Sequence, residues 1–295
     1  MVLALQLVIA GLSLGGIYAL LSFSFSLIIS TTRILNVAHG VFFVWGAGVM
    51  AFFWLYLKLS PLFAFPILLL FSALLGFLFF WGVVRTLMRL GAHQLLGGSV
   101  LATFGLALAM ESLLGAGWTK FVDPQPTFLL PVNLGPLTLW GATISGNRLM
   151  VLILAGLIIL GFHLFLKKTF FGRGARAMAQ NMEGFLIIGL NPQRVAMLIT
   201  VVAILATILS GILYILVVPI DAYAGLPLTL KAITIVVLAG VGSLPGTLAA
   251  GVLLGLAEVT ASYFLGAIWS PVIGFAILFL VLLIRPTGLF GRVTI

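Results

Sequence analysis

The spacing of the charges constrains this chain more than any other feature. Uncharged or nearly uncharged stretches run over 1–32, 34–57, 59–84, 90–110, 149–166, 195–220, 232–257 and 259–284. As helix, each is long enough to cross a hydrocarbon layer of about 30 Å. Backbone inside that layer must satisfy its own hydrogen bonds, so helices are the expected element. With 63% hydrophobic and 6% charged residues, the chain reads as a single all-α polytopic membrane domain over 1–295. No charge precedes Arg33, so the first run lacks the basic flank of a signal peptide and reads as a retained span.

Arg33, Arg85, Arg89, Lys167, Lys168, Arg173, Arg176 and Arg194 fall in alternate connections, and Arg285 and Arg292 follow the last run. Placing these ten basic residues inside leaves Lys58, Lys120, Arg148 and Lys231 outside. The asymmetry predicts an outside N-terminus and an inside C-terminus. It also accounts for the basic excess as topology signals at span ends, facing membrane lipid, with no call for nucleic acid. Parity then requires an odd number of crossings between Asp221 and Arg285. Ala232–Gly242 is only eleven residues, about 16 Å of helix, before Gly242-Ser-Leu-Pro-Gly246 interrupts it. The expectation is therefore about eight full transmembrane helices plus a half-span or re-entrant segment, with the break at mid-depth, in protein or lining a cavity.

Two polar segments remain. Gly117–Arg148, with Pro124, Pro126, Pro131 and Pro136, reads as an extended or hairpin-like external loop, either a connector or a docking surface for an extracytoplasmic partner. Lys167–Arg194 holds more than a quarter of all charges and opens with Gly172-x-Gly174. From Gly174 to Ile188 the residues favour helix, with Ala177, Phe185 and Ile188 on an apolar face near Met178 and Leu186, and Arg176, Gln180 and Glu183 polar. It reads either as a docking helix outside the membrane or as a solvated loop that only fixes topology.

The absence of cysteine excludes disulfides and thiol chemistry. His39, His93 and His163 lack partners at ligand spacing, so neither a metal nor a cofactor is expected. No paired carboxylates, nucleophile elbow or Walker-type loop occurs, so nothing points to an enzyme, and any ATP hydrolysis belongs to other subunits. Gly240-Val-Gly-Ser-Leu-Pro-Gly246 lacks the Lys-Ser/Thr ending of a phosphate loop. Gly11/Gly15/Ala19, Gly242/Gly246/Ala250 and Gly251/Gly255 are spaced for close helix approach. Asn36 and His39, at i, i+3, read as one helical face where the chain enters the membrane, with a packing role for His39 as the simpler alternative. Asn36, His39, Gly242, Ser243, Gly246 and Glu258 are the translocation-path candidates. Glu258 has no evident partner in the last two runs, lies nearer the outer face than the centre, and reads as a structural carboxyl. Glu258→Gln is therefore expected to keep ATP-driven uptake.

Arg33-Ile-Leu-Asn-Val-Ala-His-Gly40, Gly172-Arg-Gly-Ala-Arg-Ala-Met-Ala-Gln-Asn181 with Ile188-Gly-Leu-Asn191, and Leu238-Ala-Gly-Val-Gly-Ser-Leu-Pro-Gly-Thr247 together resemble the LivH-type permease subunits of branched-chain amino acid ABC importers. The similarity runs from Gly15-Gly-Ile-Tyr-Ala-Leu20 to Arg285-Pro-Thr-Gly-Leu-Phe-Gly291. It implies a multi-pass subunit of a bacterial inner membrane, with a LivM-like second permease, two LivG/LivF-like ATPases and a periplasmic binding protein. It implies that 172–191 is the cytoplasmic coupling segment, with Gly174, Arg176, Ala177, Gln180, Glu183, Phe185, Leu186 and Gly189 facing an ATPase groove. Met182 and Gly184 depart from the family pattern and would loosen that helix in its middle. From the residues alone, a stand-alone secondary transporter or channel remains the alternative, since a broken helix suits it equally.

Overall fold

The computed structural model describes residues 2–130, 132–139, 141–187 and 189–291, so Pro131, Ile188 and Arg292 lie outside the described residues. Among the described residues twelve α-helices follow in order: α1 (Val2–Thr32), α2 (His39–Leu55), α3 (Pro61–Phe79), α4 (Arg85–Leu87), α5 (Ala92–Phe121), α6 (Gly146–Lys168), α7 (Phe170–Gln180), α8 (Met182–Ile187), α9 (Pro192–Tyr214), α10 (Gly225–Ala239), α11 (Leu244–Leu265) and α12 (Ser270–Ile284). A π-helical turn at Phe80–Val84 joins α3 to α4. The strands are β1 (Thr127–Phe128), β2 (Pro136–Leu139), β3 (Ala142–Ser145) and β4 (Ile220–Asp221). β2 pairs antiparallel with β3 as a hairpin, and β1 pairs antiparallel with β4. The strands gather at one end of α6 and α7–α8 at the other, separated by 23 helical residues, about 34 Å.

Among the described residues seven helices are long and apolar enough to cross a membrane, and the chain is a multi-pass membrane protein. Two apolar helices, His39–Leu55 and Gly225–Ala239, are shorter. Two of the expected runs are thus helical over less than their apolar length. The run 34–57 spends its first residues as non-helical chain, and the run 232–257 straddles a break. α10 also starts earlier than expected and takes Lys231 into its interior, so that lysine is not a loop charge.

α9 sits at the centre of the bundle and is buried along most of its length, with α1, α2 and α3 packed around it. α1 and α11 make the most extensive helix pair. Their glycines explain it: a Cβ on Gly251 would stand 2.6 Å from the backbone of Ala19, and one on Gly15 would stand 2.7 Å from Cα of Val252. The backbones therefore touch where larger residues would hold them apart. Gly251→Leu is expected to cost at least about 1–3 kcal/mol, the usual range for overpacking, because backbone cannot yield as a side chain can. Thermal unfolding of the detergent-solubilised chain tests this, and an unchanged midpoint would contradict the close approach.

Two interruptions shape the interior. After α1, residues 33–38 climb back into the bundle without helix before α2 begins. Hydroxyls of neighbouring helices take the amides that helix geometry would otherwise satisfy. Val37 N–H donates to Oγ1 of Thr103 at 2.9 Å and Gly40 N–H to Oγ1 of Thr229 at 2.8 Å, while Leu35 N–H reaches Oγ of Ser99 at 3.4 Å. Thr229 returns its own hydroxyl hydrogen to the carbonyl of Val37 at 2.8 Å. Non-helical backbone inside a membrane bundle survives only with such partners.

The second interruption is residues 240–243, between α10 and α11. Gly240 (φ +94°) and Gly242 (φ +88°) adopt left-handed conformations that a side chain would oppose. Ser243 then caps α11, its Oγ accepting from Gly246 N–H at 3.2 Å, and Pro245 in the first turn needs no donor. The chain beyond α12 folds onto this turn. Leu289 and Phe290 donate to the carbonyls of Leu238 and Ala239 at 2.9 and 2.8 Å, satisfying the end of α10. The turn thus lies beside the segment following α12. At its other end α10 starts beside α2 and α5, with Gly225 against Val41 and Glu111.

Candidate functional site

Asn36 and His39 are both buried, but they do not share a helical face, because Asn36 precedes α2. Oδ1 of Asn36 accepts from Ala38 N–H at 3.1 Å, an Asx turn that reverses the chain into the helix. His39, the first residue of α2, places Nε2 2.9 Å from Oγ of Ser24, 3.1 Å from Oγ1 of Thr207 and 3.2 Å from the carbonyl of Leu21. It ties α2 to α1 and α9, a packing role. Gly246 is buried against Phe290, Ser243 acts as a cap, and Gly242 is exposed, so these three build the α10–α11 turn.

The coupling candidates form two helices and not the single one expected from Gly174 to Ile188. Thr169 caps α7 by accepting from Gly172 N–H at 3.0 Å, so the Gly172-x-Gly174 pair lies inside α7 and is no break. At Gly172 a Cβ would collide with the backbone of Leu166, 2.5 Å away, which is why glycine fits where α7 folds back on α6. The chain breaks instead at Asn181, whose Oδ1 caps α8 by accepting from Gly184 N–H at 2.9 Å. Gly174 and Phe185 are buried against each other and Val195, and Ala177 is half-buried. Arg176, Gln180, Leu186 and Gly189 are exposed, the last with φ +74°. Glu183 lies in α8, with its side chain outside the described part. Ile187, absent from the expected set, is 85% exposed and is the most prominent apolar group of the segment.

Glu258 lies among neighbours the sequence did not reveal. It is buried, and its Oε2 is 3.0 Å from Nζ of Lys231 and accepts from the Tyr18 hydroxyl at 2.8 Å. Lys231 also donates to the Tyr18 oxygen at 2.8 Å, closing a triangle between α1, α10 and α11. The absence of a partner, expected from the sequence, is thereby corrected. Tyr18 is near the middle of the 31 residues of α1, so the group also sits closer to mid-bundle than expected. The signal was present but unreadable: Lys231 and Glu258 meet only because the 240–243 turn folds α11 back along α10.

Two cavities meet at this triangle. One, of about 610 Å³, includes Ser13, Arg148, Ser262 and Tyr263 in its wall. The other, of about 340 Å³, is mostly apolar, with Ile220, Leu228, Leu254 and Phe275 in its wall. Tyr214, Lys231, Glu258 and Pro271 belong to both. Nearby, Oε1 of Glu111 accepts from Leu226 N–H at 3.2 Å, placing a carboxylate at the positive end of α10. Among the described residues no cluster of metal-ligating side chains occurs.

Discontinuous helices around a charged, cavity-lined centre define a polytopic membrane permease. The family model described as "Branched-chain amino acid transport system / permease component" matches residues 7–282, and the chain belongs to this family. It is 28% identical to the high-affinity branched-chain amino acid transport system permease protein BraD of Pseudomonas aeruginosa, over 98% of this chain and 96% of the relative. It is 27% identical to the LivH permease protein of Escherichia coli, again over 98% and 96%. A probable LivH of Methanocaldococcus jannaschii is 22% identical over 94% of this chain and 89% of the relative. No solved structure matches the chain.

Proposed function

We propose that the chain is the permease subunit of an ATP-binding-cassette importer for branched-chain or related amino acids in a bacterial inner membrane. The observation that carries this reading is similarity to BraD and LivH across almost the full length of both partners. The chain forms half of the path with a LivM-like permease and receives solute from a periplasmic binding protein. Two LivG/LivF-like ATPases supply the energy, since the sequence has no phosphate-binding loop of its own. The exposed side of α7–α8, with Arg176, Gln180, Leu186 and Ile187, docks on one ATPase and transmits its movement.

Extraction in mild detergent is expected to bring down a second permease and two ATPase chains. Proteoliposomes holding all of them should accumulate leucine only with ATP and binding protein. Accumulation by this chain alone, without ATP, would favour a stand-alone transporter and overturn the importer reading.

A further inference from the structure

The Lys231–Glu258 pair is not self-saturated. An ammonium has three N–H donors, and Lys231 spends two of them, on Glu258 and Tyr18. Among the described residues Oε1 of Glu258 makes no hydrogen bond, though its partner oxygen accepts two. One donor and one acceptor of opposite charge are thus unspent at the partition between the two cavities. The lysine side chain is 21% exposed and the glutamate 2%, so the ammonium is the more reachable member, and both side chains contribute to the walls of the two cavities.

We propose that this pair is the point at which a zwitterionic, apolar amino acid is held during passage, with its ammonium on Glu258, its carboxylate on Lys231 and its side chain in the 340 Å³ cavity. This rests on the amino acid transport reading above and adds the recognition site to it. The chemistry favours that ligand class over others. A zwitterion gives each buried charge a new partner and brings no net charge. A cation or an anion compensates one member and leaves the other competing for its old partner. The cavity walls fit the rest of the molecule: Ile220, Leu228, Leu254 and Phe275 offer apolar surface, with few polar groups beyond the charged head. Its position also suits passage, because Tyr18 places the pair near the middle of α1, and transporters with discontinuous helices bind solute near the midplane. Removing the Glu258 charge takes away the ammonium acceptor, so the expectation that Glu258→Gln keeps uptake is replaced by loss of uptake.

The test uses the assembled permease–ATPase complex in lipid nanodiscs without the binding protein, titrated with tritiated leucine. Saturable binding is expected, displaced by unlabelled leucine. Isoamylamine, which lacks the carboxylate, and 4-methylpentanoate, which lacks the ammonium, should each compete at least about tenfold more weakly, because a site built to hold a polar group rejects the analogue without it. Lys231→Met with Glu258→Leu removes both charges but preserves bulk, and should abolish binding in a complex that still elutes intact. Gly274→Val, whose added Cβ would sit 3.3 Å from Leu254 and 3.5 Å from Glu258, should weaken leucine more than alanine by narrowing the apolar cavity. Equal competition by isoamylamine, parental binding by the doubly neutral variant, or no saturable binding in the parent would each overturn the site. If that parent complex, given binding protein and ATP, still imports leucine, the transport reading stands without the site. If it imports no amino acid, both fall.

Discussion

Ile187→Asp should abolish ATP-driven uptake while the permease remains folded, and Phe185→Asp should not allow the permease to fold normally at all. The two residues are two positions apart in α8, yet their environments are opposite. Ile187 is 85% exposed and Leu186 beside it 52%, an apolar patch on the face proposed to meet an ATPase. Phe185 is 2% exposed and holds α8 against α7 and α9. An aspartate at 187 costs the free permease little. In the docked complex it is an unpaired carboxylate deprived of water, a penalty of several kcal/mol. About 4 kcal/mol corresponds to roughly a thousandfold loss of affinity for the ATPase. Size-exclusion profiles of the variant permease, followed by pull-down of the ATPases, separate the two outcomes. A normally assembled, transporting Ile187→Asp complex would remove α8 from the interface.

How far the sequence could be read followed from the range of the interactions involved. Runs of apolar residues are local, so α1, α6 and α9 were visible, as was the glycine- and proline-driven turn after α10. The start of α10 was not, because it is set by Gly225 meeting Val41 and Glu111 from distant segments. The non-helical lead-in at 33–38 was hidden for a similar reason. Its residues are as apolar as those of a helix, and the hydroxyls that stabilise it, Ser99, Thr103 and Thr229, come from two other helices. In the α7–α8 segment helix propensity ran smoothly through Asn181, but an asparagine that can cap the following turn competes with helix continuation. Among the site residues Glu258 stood out because an acid in an apolar run is rare. Lys231 did not, because counting charges at span ends assigned it to a loop.

The same ion pair should dominate the stability of the bundle when only one member is removed. Glu258→Leu leaves the ammonium of Lys231, inside α10, with the Tyr18 hydroxyl as its remaining partner. Breaking a buried pair by deleting one partner typically costs about 3–5 kcal/mol, most of it the uncompensated charge. Lysine can relieve part of this by turning into the 610 Å³ cavity, so the lower end of that range is expected. Adding Lys231→Met to Glu258→Leu removes the second charge and fills the space with apolar atoms. Replacing both members of such a pair is often neutral or stabilising, so the double variant should recover most of the loss. Denaturation of the reconstituted chain, monitored for the parent, both single variants and the double variant, gives the coupling energy directly from the cycle. A double variant as unstable as the two single losses added together would mean that Lys231 and Glu258 act independently, and the triangle with Tyr18 would not be the unit described here. Recovery of stability combined with loss of leucine binding would separate the two roles of the pair: its charges are dispensable for holding α10 against α11, and required for holding the solute between them.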